Sequence, residues 1–255
     1  MSQDLRPLIA GWDFNPDELQ VRVITGDDGT EKIQVRVDLG ILQVELSGRP
    51  DGQRPHGQES LLDYFEARKG QAEAGEDFTL EHSDCVLLMQ EGLQYYRRYL
   101  SAFQLGRFEL VVRDTERNLR LFRFVVEHAA RQRDKIEFDQ YRPYVTMMRT
   151  RARALMKLDL GDHTAALAEI DQGLEQIREF LRDYQQADDE GQCSELRFLL
   201  RWRKEVEQDR PTGPIERLEQ QLALSIALED FEEAARLRDQ IKLLKDIPTE
   251  HSRRV

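Results

Sequence analysis

At 255 residues, with 40% apolar and 34% charged side chains, the chain is long enough for one large or two small domains and apolar enough to build a core. A net charge of −12 argues against direct nucleic-acid binding, because phosphate repulsion would have to be overcome by a local basic patch. No run of 18 apolar residues marks a membrane span, and the start lacks a basic stretch followed by an apolar one, so the expected location is cytoplasmic.

The composition and patterning predict an α+β, mainly α protein. Residues 1–67 read as a small β meander with a covering helix. Val21, Val23, Ile33, Val35, Val37, Leu42, Val44 and Leu46 alternate with polar neighbours, and Gly26 to Gly29 (GDDG) supplies the first turn. The pattern predicts three antiparallel strands, with the segment Glu59 to Ala67 as the nearest candidate cover. Between them lies Gly48 to Gly57, ten residues with three Gly and two Pro. Arg49, Arg54 and His56 there, beside exposed amides, make a candidate anion or small-ligand site. No Gly-Lys-Ser/Thr follows, so the loop is not a Walker A, and a plain connection from sheet to helix is the simpler reading. Residues 68–82 read as a linker.

Residues 83–210 read as a helical domain. Leu88, Gly92, Tyr96, Tyr99 and Phe103 form one apolar stripe, and Phe108, Val112, Thr115, Leu119, Phe122 and Val126 a second. Tyr141, Val145, Met148, Ala152 and Leu155 form a third, and Ala166, Ile170, Leu174, Ile177 and Leu181 a fourth. Ser194 to Gln208 makes a fifth helix with Phe198, Leu199, Trp202 and Val206 inward. Two turns repeat: Gln104 to Phe108 (QLGRF) and Asp159 to His163 (DLGDH) each place a helix-ending Gly after Leu. These corners resemble that of tetratricopeptide repeats, Leu-Gly-x-aromatic-x-x-Ala. Gly106 and Gly161 lie 55 positions apart, against about 34 in a standard repeat, so the helices are longer or an insertion sits near Arg131 to Asp139. Arg149, Arg153 and Lys157, with Arg113, Arg117 and Arg120, form basic stripes suited to an acidic peptide if both face one groove. Glu109 and Glu116, four residues before Arg113 and Arg120, fit ordinary surface pairing instead.

No catalytic constellation is legible. The five histidines have no partner at i+3 or i+4, no nucleophile elbow or GxGxxG occurs, and Cys85 and Cys193 have no CxxC neighbour. The expectation is a protein that is not an enzyme, with no metal site and no cofactor.

Residues 211–247 read as a helical hairpin, followed by a tail at 248–255. Leu218, Leu222 and Ile226 make the stripe of its first helix, and Ala234, Leu237, Ile241 and Leu244 that of its second. Asp230 and Glu233 form a capping box between them. The run Phe231 to Ala235 (FEEAA), followed by Arg236 to Asp239 (RLRD) and Ile241, resembles the UVR motif shared by the excision-repair proteins UvrB and UvrC. The resemblance implies a docking hairpin that pairs with a second copy in a partner, with Phe231, Arg238 and Asp239 at the contact. Leu218, Leu222, Ala234, Ala235, Leu237 and Ile241 complete the expected partner-binding set. It implies a protein partner, another UVR-bearing protein or a second copy of this chain, in excision repair or in Clp-type protein quality control. Two readings of function stand side by side: a non-catalytic adaptor docking through the hairpin, or a ligand-binding protein using loop 48–57 with a structural hairpin.

Overall fold

The computed structural model describes residues 4–71, 78–185, 190–210, 218, 221–222, 226, 235–238 and 240–242. After a short helix α1 (Arg6–Ile9), the alternating segment forms three antiparallel strands, β1 (Val21–Thr25), β2 (Glu31–Val37) and β3 (Gly40–Glu45), in the order β1-β2-β3. Val23 lies opposite Ile33 and Ile33 opposite Val44, so the branched side chains share one face. Lys32, Gln34 and Arg36 on the other face are buried as well. Lys32 pairs with Asp28 and Glu45, and Arg36 donates to the Trp12 carbonyl at 2.8 Å while Arg22 stacks 4.0 Å over the Trp12 ring.

Seven further helices follow among the described residues: α2 (Leu61–Gln71), α3 (His82–Gln104), α4 (Phe108–His128), α5 (Gln132–Asp139), α6 (Arg142–Asp159), α7 (His163–Asp183) and α8 (Ser194–Gln208). The protein is therefore mainly helical with one small N-terminal sheet. The expected cover of the sheet is corrected. Ile33, Val35 and Val44 pack against Leu105 and Leu110 at the α3–α4 corner, whereas α2 turns Leu61, Leu62 and Phe65 into a cluster with Leu88, Leu121 and Val125. The reason lies in the loop between β3 and α2, which carries the chain off the sheet before a buried carboxylate on α3, Glu91, pins the start of α2.

Both Leu-Gly corners form as the sequence predicts. Gly106 and Gly161 take φ of +69° and +73°, the left-handed region that glycine enters without a Cβ penalty. At the first corner the amide of Arg107 donates to Ala102 O at 2.9 Å and that of Gly106 to Phe103 O at 3.1 Å. At the second, Asp162 donates to Lys157 O at 2.9 Å and Gly161 to Leu158 O at 2.8 Å. These are paired Schellman closures, which satisfy carbonyls the helices would otherwise leave open. Helix α5 occupies the Arg131 to Asp139 region and accounts for the long spacing between the corners. The stripe expected on α4 is shifted: Val111, Thr115, Leu121, Phe122, Phe124 and Val125 are buried rather than Val112, Leu119 and Val126. Helix α4 packs against α3, α5 and α6, so its buried arc exceeds one stripe.

Contacts divide the chain into two compact units, Met1–Val206 and Glu207–Val255. The meander belongs to the first. The segment expected as a linker is helical to Gln71, and Leu80 is fully buried, donating to His128 O at 2.8 Å and accepting from the Ala130 amide at 3.0 Å. Among the described residues no helix is long and apolar enough to cross a membrane.

Candidate functional site

The most conspicuous chemistry in the first unit is a buried ionic junction. On α3, Glu91 and Arg98 lie in the same stripe as Leu88, Tyr95 and Ala102; on α4, Asp114 and Asn118 lie in the stripe of Val111, Leu121 and Val125. Arg98, 1% exposed, donates Nε and Nη2 to the two Asp114 oxygens at 2.6 and 2.8 Å. Its Nη1 donates to the carbonyls of Glu45 and Gly48 at 2.8 and 2.9 Å. Arg113 adds a bond to Asp114 at 3.1 Å and one to Leu46 O at 2.7 Å. Glu91, fully buried, accepts from the amides of Leu61 and Leu62 at 2.7 and 3.2 Å, placing a carboxylate at the positive end of α2. Arg117 pairs with Glu91 and lies 4.1 Å from the Tyr95 ring centroid. Burial pulls the Arg117 pKa below the usual arginine value, against the pull of Glu91, and a guanidinium remains charged there.

The junction is a brace. An open cavity of about 470 Å³ beside it is lined by Arg98, Arg113, Arg117 and Arg120, but also by Glu59, Asp63, Asp114 and Glu116. Each guanidinium already holds a carboxylate, Arg120 through Asp63 at 2.6 Å, so the cluster carries no cationic surplus for an anion. The expected stripe on α6 is partly consumed in the same way, through Arg153, while Arg149 holds an amide oxygen. Arg149 donates to Gln176, and Arg153 pairs with Glu116 and with Glu169 at 3.7 Å. The junction residues Glu91, Arg98, Asp114 and Arg117 escape a search for motifs. Their signal is a charge standing inside an apolar i, i+3, i+4 stripe.

The loop residues separate. Arg49 and Arg54 line one cavity of about 430 Å³, together with Asp28, Glu45 and Glu59. Arg49 pairs with Asp51 at 3.1 Å and Glu91 at 3.6 Å, whereas Arg54 is exposed. His56, with φ of +51°, stacks at 4.0 Å on Tyr64 and does not line that cavity.

In the second unit, residues 218, 221–222, 226, 235–238 and 240–242 are helical. Leu237 and Ile241, one turn apart, are buried at 4% and 7% exposure. Leu218 and Leu222 are half-buried, and Ile226, next on their stripe, is 54% exposed. Ala235, Arg236, Arg238, Gln240 and Lys242 are exposed. Residues 235–238 and 240–242 thus set a narrow apolar edge beside a polar, cation-rich one. Phe231, Ala234 and Asp239 lie outside the described residues.

Among the described residues no group of three or more His, Cys, Asp or Glu is placed to hold a metal ion. Burial pushes the Cys85 thiol up to about 11, the environment of an unreactive cysteine. No curated protein and no solved structure matches the chain. Residues 213–247 match the family model described as the UvrB/uvrC motif, and the chain carries a UVR motif there.

Proposed function

We propose that the protein is a non-catalytic adaptor that docks a protein partner through the UVR segment, the partner being another UVR-bearing protein or a second copy of this chain. The match at residues 213–247 carries this reading. The sequence predicts two helices of about 13 residues, roughly 20 Å each, which are marginal in water and share too little apolar surface for a core of their own. A surface of that kind is completed by another helix pair. Ile226 extends the Leu218–Leu222 stripe into solvent, and Arg238 is exposed beside the buried Leu237. Both exposures support this reading. The helical body, with its two tetratricopeptide-like corners, serves in this reading as the scaffold that the hairpin tethers. Loop 48–57 has less support as a ligand site, because an anion bound there would face Asp28, Glu45 and Glu59.

The test compares the full chain with one stopped after Arg210, by light scattering for oligomeric state and by pull-down against UVR-bearing proteins. The expected result is loss of self-association or of the UVR-bearing partner on truncation. Unchanged assembly and partners, together with a lower melting temperature, would make the segment a structural cap and end the adaptor reading. Phe231→Ala and Arg238→Glu in the full chain should reproduce the truncation without removing the segment.

A further inference from the structure

One surface of the unit Met1–Val206, away from the junction, combines exposed apolar groups with unpaired positive charge. Helix α3 and the start of α6 enclose an open cleft of about 450 Å³ lined by Leu93, Tyr96, Tyr141 and Tyr144, with Asn118 and Glu195 among its polar groups. Leu93 and Tyr141 are 44% and 48% exposed, so these side chains are not core that happens to border a gap. A second cleft of about 530 Å³ shares Tyr144 and Glu195 with the first and continues along α8 past Met147, Phe198, Arg197 and Arg201. Both volumes fall in the range of sites that hold a side chain or a small ligand.

The charges differ between the two clefts. Arg197 and Arg201 sit one turn apart on α8, both exposed; the Arg197 amide donates to Cys193 O at 3.1 Å, but neither guanidinium has a hydrogen bond, ion pair or ring contact among the described residues. Arg203, two positions on, holds Asp171 at 2.6 Å, and Arg153, Arg178 and Arg182 likewise hold carboxylates. Arg151 stiffens the wall between clefts and core, lying 4.4 Å from the Phe103 ring and 4.8 Å from Phe198. The surface is therefore aromatic at one end and cationic at the other. Tyr, Met and Arg are the side chains that interfaces concentrate, and Tyr hydroxyls can meet peptide carbonyls.

We propose that this paired cleft docks an acidic segment of a protein partner carrying one large apolar side chain. The apolar side chain enters between Tyr96, Tyr141 and Tyr144, and neighbouring Asp or Glu side chains meet Arg197 and Arg201. A nucleic-acid strand fits less well, since Glu195 stands between the two clefts and the chain carries a net charge of −12. The proposal involves only residues of the first unit and stands or falls apart from the UVR reading.

The experiment selects a displayed library of random short peptides on the full-length protein and measures the enriched peptides by fluorescence anisotropy. Enriched sequences should join an aromatic or Leu anchor to two or more acidic residues. Their affinity should fall about 10-fold or more in the double variant Arg197→Glu and Arg201→Glu, where two attractions become two repulsions. Tyr144→Ala should weaken them comparably, raised salt should weaken them further, and Phe231→Ala should leave them unchanged. Because both arginines are exposed and unpaired, the charge variants should keep the wild-type melting temperature; Arg197→Gln with Arg201→Gln supplies a milder version with the same expected direction. The proposal is overturned if no sequence is enriched, if enriched peptides bind the charge-reversed chain equally, or if Phe231→Ala abolishes binding. It is also overturned if labelled oligothymidine binds through the same arginines while acidic peptides do not.

Discussion

The hairpins α3–α4 and α6–α7 end in the same corner yet are held together by opposite chemistry. Between α3 and α4 stand Glu91, Arg98, Asp114 and Arg117, all buried or nearly so. Between α6 and α7 the buried seam is apolar and close, with the polar pairs Arg149–Gln176 and Arg153–Glu169 at its edge: Ala152, Ala154, Ala166, Ile170, Leu174 and Ile177 share one cluster, and Gly173 abuts Thr150. The difference follows from what each hairpin carries. The α6–α7 pair packs on helices, whose backbone groups are already bonded within themselves. The α3–α4 pair also receives backbone groups left open at element ends: the carbonyls of Glu45 at the end of β3 and of Leu46 and Gly48 beyond it, and the amides of Leu61 and Leu62 in the first turn of α2. Those groups need partners once covered. A guanidinium with five donors, and a carboxylate that accepts several bonds, meet that need where an aliphatic seam cannot.

The largest expected effect tests that account directly. Asp114→Ala strands Arg98 in the interior and should cost about 3–5 kcal/mol of stability in urea or guanidinium unfolding. Replacing both partners, Asp114→Leu with Arg98→Met, should recover only part of that loss, because the Glu45 and Gly48 carbonyls then have no donor. Full recovery would mean that the ionic seam serves the helix pair itself and has no link to the loop. A cost under about 1 kcal/mol would mean that water reaches Arg98.

The apolar seam should fail by crowding instead. A Cβ at Gly173 would lie 2.1 to 2.8 Å from the Thr150 side chain, which is 3% exposed and has no room to move. Gly173→Ala should therefore cost about 1–3 kcal/mol despite its better helix propensity. Thr150→Ala in the same chain should restore most of it, a coupling readable from a double-mutant cycle. At the ionic seam the corresponding glycine is Gly92, where the nearest atom would be the Leu121 Cδ2 methyl at 3.1 Å. That contact asks Leu121 to give by only a few tenths of an ångström, so Gly92→Ala should change stability by less than about 1 kcal/mol. Equal costs at Gly92 and Gly173 would erase the distinction between the seams.

What the sequence makes legible divides along the same line. The strands follow from alternation at Val21, Val23, Ile33, Val35 and Val44, and the corners from Leu105-Gly106 and Leu160-Gly161, because both signals are local. The stretch Arg131 to Asp139 stands out as surplus to the repeat spacing and is α5. The cover of the sheet is not legible. Choosing between Glu59 to Ala67 and the α3–α4 corner depends on Glu91 reaching α2 from 30 residues away. Separation along the chain likewise hides the pairing of Arg49 with Glu91, which turns a candidate anion ligand into part of the brace. Counting arginines exposes a basic stripe at Arg113, Arg117 and Arg120 but not the carboxylates that neutralise each one. For the docking motif the residue pattern alone sufficed, since Phe231 to Ile241 is a contiguous signature that the match at 213–247 reproduces.

The smallest effect concerns the helix starts after the two corners. Asp162 caps α7, its Oδ1 accepting from the Ala165 amide at 2.9 Å. Arg107 occupies the matching position before α4 with nearly the same backbone angles and no side-chain cap; it reaches instead to Glu31 on β2 at 2.9 Å. Once again the first hairpin uses a charged side chain to hold the meander where the second uses the position for its own helix. Asp162→Ala should cost about 1 kcal/mol, the usual loss of an N-cap. Arg107→Asn should gain a cap of similar size while losing an exposed ion pair worth about 0–1 kcal/mol, for a net change near zero or slightly stabilising. Thermal unfolding of the two variants side by side measures both. A loss at Arg107→Asn as large as that at Asp162→Ala would show that the Arg107–Glu31 contact anchors the sheet, and the division between a hairpin that holds other elements and one that holds itself would extend to the exposed surface.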